Sequence, residues 1–182
     1  MEVIYSEKSI KILKNKELLE KFLNVEITHR GREFYLKGNA DDEFFARQVV
    51  EAINFGFPVE EALSIVEKDF LFEILNIKDY TRRKDLNTVR SRIIGKQGKA
   101  LVVLSQLTQG FIQVKDNRVG IIGDPEYMKT AQEAIVGIIR GAKHSNIYSY
   151  LEKHRPEPFV DLGLKESFKK KRKNNLKQDS SI

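Results

Sequence analysis

The chain has 182 residues, 41% hydrophobic and 32% charged, which is enough for one ordinary domain or two small ones with a buried core. The absence of Cys excludes disulfides, thiolate metal sites and a cysteine nucleophile. Apolar runs fall well short of the roughly 20 residues that span a bilayer, and the first residues lack a secretory signal pattern, so we expect a cytoplasmic protein.

The charge is unevenly distributed along the chain. Residues 1–80 carry 11 basic and 16 acidic side chains, whereas residues 81–182 carry 21 basic and 10 acidic ones. A basic C-terminal half suits a polyanionic partner. A merely solvated basic surface with a disordered tail explains the charge equally well, so charge alone does not decide between the two.

The first predicted elements are a hairpin and two helices. Two β-rich runs, Val25–Thr28 and Glu33–Leu36, flank a short polar turn. Asn39 is a good N-cap and Gly56 a good helix stop, which predicts a helix between them. Pro58 then starts a short connecting helix.

The sequence pattern of the second half predicts elements in the order strand, helix, Gly loop, helix, strand, strand, helix. The strands and helices are expected at Phe70–Ile77, Asp85–Ile94, Lys99–Thr108, Phe111–Val114, Arg118–Ile122 and from Asp124 to Gly141. A further helix is expected at Ser145–Lys153. Residues 160–182 carry a run of five basic residues, Lys169–Lys173, and we expect a basic, partly disordered tail.

An internal repeat links the two halves at an offset of 85 residues. Gly38-Asn39-Ala40 aligns with Gly123-Asp124-Pro125, and Gly56 aligns with Gly141. At the same offset the Gly loop of the second copy corresponds to Ile10–Leu13, which contains no Gly. We therefore expect the acidic first copy to be a scaffold or protein-docking domain.

The Gly loop, Gly95-Lys96-Gln97-Gly98, is the main functional candidate. Two Gly between two helices let a ligand's backbone approach closely, and the N-terminus of the following helix favours a phosphate. A nucleotide-binding P-loop is rejected, because only two residues separate the Gly residues and Ala100 follows Lys99. Two interpretations remain: a plain helical turn, and a clamp on a sugar-phosphate backbone beside an apolar groove for unstacked bases.

The predicted clamp extends to residues on both sides of the loop. The full set of predicted RNA-contacting residues is Arg82, Arg83, Arg90, Arg92, Ile93, Ile94, Gly95, Lys96, Gln97, Gly98, Lys99 and Ile112. His29, His144 and His154 lack metal-ligand spacing and are expected to be structural or solvated. The sequence shows no nucleophile-base pair and no cofactor motif, so we expect no enzymatic activity.

Several segments together resemble a known family. Arg92–Thr108, Val119–Glu126 and Ala131–Ala142 resemble a type I KH domain. Gly56–Leu63 and Gly141–Glu152 are similar to archaeal relatives of the ribosome-assembly factor called partner of Nob one, or Dim two. The resemblance implies a role in maturation of small-subunit ribosomal RNA near its 3′ end. It also implies two protein partners, the endonuclease Nob one and the alpha subunit of initiation factor two.

The resemblance also implies an α+β fold of two tandem type I KH-like domains, each with a three-stranded antiparallel sheet against three helices. The first domain, residues 1–57, is then degenerate because it lacks the Gly loop. A connecting helix at 58–69, the KH domain at 70–142, a C-terminal helix at 143–159 and the tail follow. A protein-docking adaptor, with RNA binding secondary, is the alternative function.

Overall fold

A computed structural model of the chain describes residues 2–6 and 9–154. These residues form an α+β structure with two three-stranded antiparallel sheets. The predicted tail at 160–182 and the end of the predicted 143–159 segment lie outside the described residues. None of the helices within the described ranges is long and apolar enough to cross a membrane.

The first half contains three strands and three helices. They are β1 (Glu2–Tyr5), α1 (Ser9–Lys14), α2 (Lys16–Leu23), β2 (Glu26–Arg30), β3 (Glu33–Lys37) and α3 (Ala40–Phe55). The sheet order is β1-β3-β2, so the third strand lies in the middle. The hairpin and α3 match the predictions, whereas β1, α1 and α2 were implied only by the family resemblance, with no predicted residue ranges.

The second half repeats this order after the connecting helix. Its elements are α4 (Val59–Glu67), β4 (Leu71–Asn76), α5 (Leu86–Ile94), α6 (Lys99–Thr108), β5 (Phe111–Lys115), β6 (Arg118–Gly123), α7 (Pro125–Arg140) and α8 (His144–Lys153). The sheet order is β4-β6-β5, again with the third strand central. Two single-turn 3-10 helices, Ile77–Tyr80 and Lys96–Gly98, were not predicted.

The helix caps explain why the long helices begin and end where they do. The Asp124 carboxylate accepts the backbone N–H of Glu126 at 2.9 Å, and Pro125 occupies the first turn of α7. Gly141 ends α7 with φ of 109°, a conformation that favours glycine. Gly56 ends α3 in a similar way, with φ of 145°.

The two halves pack against each other through aromatic side chains. Phe57 is 0% exposed, and its ring centroid lies 5.9 Å from that of Phe55 and 5.8 Å from that of Phe72 in β4. A Cβ at Gly120 in the central strand β6 would come within 2.9 Å of both the Phe55 and the Phe57 rings. The linker between the halves is therefore anchored on the face of the second sheet, and Gly120 provides room for it.

Candidate nucleic-acid interface

The helix α5 leads directly into the Gly loop. It starts at Asp85, whose carboxylate accepts the backbone N–H groups of Asn87 at 3.0 Å and Thr88 at 3.3 Å. The side-chain hydrogen bond from Thr88, together with these backbone bonds, lowers the pKa of Asp85. The cap fixes the start of α5, and Ile94 is the last residue of this helix before the loop.

Gly95 makes a tight turn that another residue cannot make. Its φ is +75°, and a Cβ built there would lie 2.5 Å from the Cβ of Ala100 and 2.8 Å from the backbone nitrogen of Ala100. The loop backbone is therefore folded directly onto the first turn of α6. A side chain at this position would push the loop away from the helix.

Gly98 has a different role, since it faces open space. Its φ is +77°, and a Cβ there would meet no described atom within 4 Å. Gly98 is the N-cap of α6. Because glycine has no side chain, it cannot accept a hydrogen bond from the first N–H groups of the helix. The Gly98 N–H donates to the carbonyl of Gly95 at 3.2 Å and the Lys99 N–H donates to that of Lys96, so the attraction for a phosphate comes from the positive end of a ten-residue helix that is open at Gly98.

The side chains of the loop add positive charge beside these donors. Lys96, Gln97 and Lys99 are all exposed. Within the described residues, neither Lys side chain has a hydrogen bond or ion pair. Gln97 has φ of 56°, which turns the loop outward between the two Gly residues. The loop thus presents two exposed ammonium groups, beside the positive end of α6, to a polyanionic strand.

A groove of about 540 Å³ lies along α6, the helix that follows this loop. One wall is α6, whose side chains Leu101, Val102 and Ser105 line it. The other wall is β5, the edge strand of the second sheet, which pairs with β6 alone among the described strands. An edge strand presents unpaired backbone N–H and C=O groups, which can hydrogen-bond the edges of bases. Ile112, predicted as a groove residue, lies in this wall.

One of the predicted apolar contact residues is placed differently from the prediction. Ile93 is 0% exposed and belongs to the core of the second half, so it supports the loop from below and cannot touch a ligand. Only its neighbour Ile94, 37% exposed, reaches the surface. The helical period explains this, because consecutive residues lie about 100° apart around the axis.

The predicted arginines do not all converge on the loop. Arg90 donates to the carbonyl of Asp116 at 3.1 Å, which ties α5 to the turn between β5 and β6. Arg83 lies near Gly141, at the end of α7. Arg82 is exposed on the segment before α5. The arginines therefore surround α5, and the loop itself is charged by Lys96 and Lys99.

Arg92 faces α8 instead of solvent. Its guanidinium donates to the carbonyl of Ala142 at 2.7 Å, and its Nε is buried with no hydrogen-bond partner among the described residues. In return, Nε2 of His144 lies 2.9 Å from the carbonyl of Arg92. Because a carbonyl only accepts, the Nε2–H of His144 is the donor. We assign Arg92 and His144 as a brace that fixes the end of α5, a role that the sequence did not reveal for His144.

Removal of this brace is expected to loosen the Gly loop. We predict that His144→Ala lowers the free energy of unfolding by about 1 kcal/mol, because one partly buried hydrogen bond is lost. It should also weaken the binding of a polyanionic strand at the loop by a few-fold, since the loop geometry becomes less defined. Chemical denaturation and RNA titration measure the two effects. His154→Ala is the matched control, because His154 bonds its own helix at Tyr150 and lies at the far end of α8. Equal RNA affinity of both variants would contradict the brace.

Within the part of the chain that the structure describes, no group of three or more His, Asp or Glu side chains is placed to hold a metal ion. His29 stacks on Phe34 with ring centroids 5.8 Å apart.

Comparison with known proteins identifies the same region. A family model for the second KH domain of PNO1, described as a eukaryotic-type, type I KH domain, matches residues 71–156. A KH domain-containing protein of Methanocaldococcus jannaschii is 36% identical over 111 residues, which cover 60% of this chain and 49% of that protein. The pre-rRNA-processing protein pno1 of Emericella nidulans is 29% identical over 108 residues, 57% of this chain and 42% of that protein. The chain spans about half the length of the curated relatives it matches.

Solved structures extend the similarity to the first half. Dim2p from Pyrococcus horikoshii OT3 superposes with a TM-score of 0.76 at 28% identity, covering 84% of this chain and 98% of that one. The chain matched in a complex of a/eIF2alpha, aDim2p and rRNA from the same organism gives a TM-score of 0.75 at 28% identity, covering 85% of this chain and 93% of that one. The similarity therefore includes both sheets, not the KH domain alone.

Proposed function

We propose that this chain, which belongs to the PNO1 and Dim2 family of KH-domain proteins, binds single-stranded small-subunit ribosomal RNA near its 3′ end during ribosome maturation. The observation that carries the proposal is the junction at Gly95–Gly98, where an open glycine and two exposed lysines stand at the start of α6, the helix that forms one wall of the groove. Relatives named pre-rRNA-processing proteins, and the neighbour crystallised with rRNA, support the choice of ribosomal RNA.

The shape of the site favours a single strand over a duplex. Bases in a duplex are stacked and paired, so their edges cannot enter a groove between a helix and a sheet edge. An unpaired strand can place its phosphates on the loop and turn its bases toward Leu101 and Ile112. A KH module recognises RNA in this way through a Gly-x-x-Gly loop.

The first half serves as a degenerate KH-like domain in this proposal. It has the same order of elements and the same central third strand as the second half. Its α1 and α2 meet at Asn15, whose amide donates to the carbonyl of Lys11 at 2.9 Å. With no Gly loop there, and a net negative charge over residues 1–80, it is suited to hold a protein and not a phosphate chain.

The domain boundaries that follow from the repeat are proposals of the same kind. They assign 1–57 to the degenerate domain, 58–69 to the connection, 70–142 to the KH domain and 143–159 to the C-terminal helix. We further propose that the chain works as a binding protein without catalytic activity, in the cytoplasm of an archaeon. An activity assay on bound RNA, with and without added divalent metal, tests the proposed lack of catalytic activity.

A second candidate function is that of a protein-docking adaptor, and the surface of the first half favours it. Large apolar side chains are exposed on α1, α2 and α3, namely Ile10, Leu18, Phe22 and Phe44. We propose Nob one and the alpha subunit of initiation factor two as partners; the second choice follows the complex in which the aDim2p neighbour was solved. Association with either protein that survives nuclease treatment would support the adaptor.

The ionic-strength dependence of binding tests the RNA-binding function itself. If the strand makes about four to six phosphate contacts, log affinity should fall with log salt at a slope of roughly −3 to −4. Fluorescence anisotropy with a labelled single-stranded RNA at increasing KCl measures this slope. A slope near zero would contradict a phosphate clamp. Crosslinking in cells, followed by sequencing of the attached RNA, identifies the strand that is bound.

A further inference from the structure

The groove along α6 has a third wall, which comes from the linker between the halves and from the connecting helix α4. Gly56 and Pro58, in the linker between the halves, and Glu61, in the first turn of α4, line it together with α6 and β5. Glu61 is half-buried. Within the described residues its carboxylate makes no hydrogen bond or ion pair. A carboxylate acceptor without a partner in the described part of the chain thus lines the groove, and it is the one charged residue among the lining residues.

Glu61 is held rigidly in this position. Phe57 anchors the linker between the two halves, and Pro58 starts α4 immediately afterward. Glu61 lies on a helix and not on a loop, so its backbone position is fixed by packing. Burial, and to a smaller degree the neighbouring Glu60, raise the pKa of Glu61. This indicates a carboxylate that is partly removed from water and lacks a compensating partner.

An unpaired carboxylate repels phosphates and attracts hydrogen-bond donors. Among the parts of an RNA strand, the donors on a base edge are the amino and ring N–H groups. Guanine offers N1–H and N2–H side by side, which matches the two oxygens of a carboxylate. Uracil offers a single N–H between two carbonyls, and these would face Glu61 unfavourably.

We propose that Glu61 selects a guanine at the point where the linker and α4 line the groove, accepting hydrogen bonds from N1–H and N2–H of that base. The inference rests on the proposed binding of single-stranded RNA at Gly95–Gly98. In this arrangement the second half supplies the phosphate clamp, and the linker region supplies one position of sequence readout. The negative charge of Glu61 contributes specificity, since it disfavours a phosphate or a uracil at that point.

The test compares Glu61→Gln with Glu60→Gln in the full chain. Glu60 is exposed and does not line the groove, so the control removes the same charge one residue away. Short single-stranded RNAs that carry each of the four bases at each position are titrated by fluorescence anisotropy. The unmodified chain should prefer guanine over uracil at one position by about tenfold. Glu61→Gln should reduce that preference to about twofold or less, whereas Glu60→Gln should keep it.

A pH series provides a second readout. The guanine preference of the unmodified chain should weaken as the pH is lowered toward the raised pKa of Glu61, because a protonated carboxyl accepts less well. Glu61→Gln should show no such change. Circular dichroism verifies folding, which the isosteric amide is expected to preserve.

The outcomes separate this inference from the function on which it rests. RNA binding with an unchanged base profile in Glu61→Gln would overturn the role of Glu61 and leave the RNA-binding function standing. An effect of Glu61→Gln on the capture of a protein partner alone would overturn that role as well. No RNA binding by the unmodified chain would overturn both. Loss of guanine preference in Glu61→Gln, with affinity for uracil-containing RNA kept, establishes the inference.

Discussion

Replacement of Lys96 and Gln97 by Asp is expected to lower RNA affinity by about 100-fold without unfolding the chain. Both side chains are exposed and, among the described residues, Lys96 has no partner, so the fold loses nothing when they change. The two substitutions place negative charge where the proposed strand has its phosphates. Two lost contacts to a charged group, at about 1.5 kcal/mol each, correspond to this factor.

The backbone of the loop should tolerate these substitutions. Gln97 has φ of 56°, a region in which Asp is among the better-tolerated residues. Gly95 and Gly98, whose positive φ values define the loop, are left unchanged. A loss of affinity therefore reports on the ligand contact and not on loop geometry.

The repeat provides a matched control for this variant. Lys11 occupies the position that corresponds to Lys96 at the offset of 85 residues, and it is exposed in the first half. Lys11→Asp makes the same charge reversal in a domain that lacks the Gly loop, so RNA affinity should stay nearly constant. Titration of a single-stranded RNA, with circular dichroism on each variant, measures the effect. Unchanged affinity in the double variant, or an equal loss in Lys11→Asp, would contradict the clamp.

The second half of the fold could be predicted from sequence almost residue by residue. Helix α6 is found at Lys99–Thr108 as predicted, because the Gly loop marks its start and Gly110 follows its end. The strands β5 and β6 differ from the predicted bounds by one residue at one end. Strong local signals, namely caps, Gly stops and a polar turn, fix these boundaries.

The first 24 residues were harder to predict, for a physical reason. Helix α1 has only six residues and α2 has eight, which is too short for a clear helical period. Their stability comes from tertiary packing, since Ile12 and Leu19 are fully buried in the first core. The four-residue strand β1 likewise forms only because it pairs with β3.

The part of the site that lies in one continuous segment could be predicted from the sequence. The parts that the fold brings together from separate elements could not. The Gly loop is one continuous segment, so its sequence reveals it. The turn of Arg92 toward Ala142 depends on where α8 packs, which no local pattern specifies. The approach of Glu61 to α6 depends on the packing of the two halves through Phe57. A residue that joins a site from a separate helix is found only when the packed fold is seen.

Phe57→Ala is expected to have the largest effect on stability. The side chain is fully buried and contacts Phe55 and Phe72, so its truncation leaves a cavity between the two halves. Truncation of a buried Phe costs about 3–5 kcal/mol, which is a large share of the roughly 5–15 kcal/mol that stabilises a typical domain. With a urea m-value of about 2 kcal/mol per molar, the midpoint should fall by roughly 2 M.

The control for this variant is Phe44→Ala, because Phe44 lies in the same half but is 55% exposed. It should change the free energy of unfolding by about 0.5 kcal/mol or less. Phe57→Ala should also weaken guanine preference, since Phe57 holds the linker that carries Glu61. A destabilisation no larger than that of Phe44→Ala would mean that the halves do not depend on this contact. In that case Glu61 would have no fixed position beside α6, because the linker that carries Glu61 is held by the same Phe57 contacts.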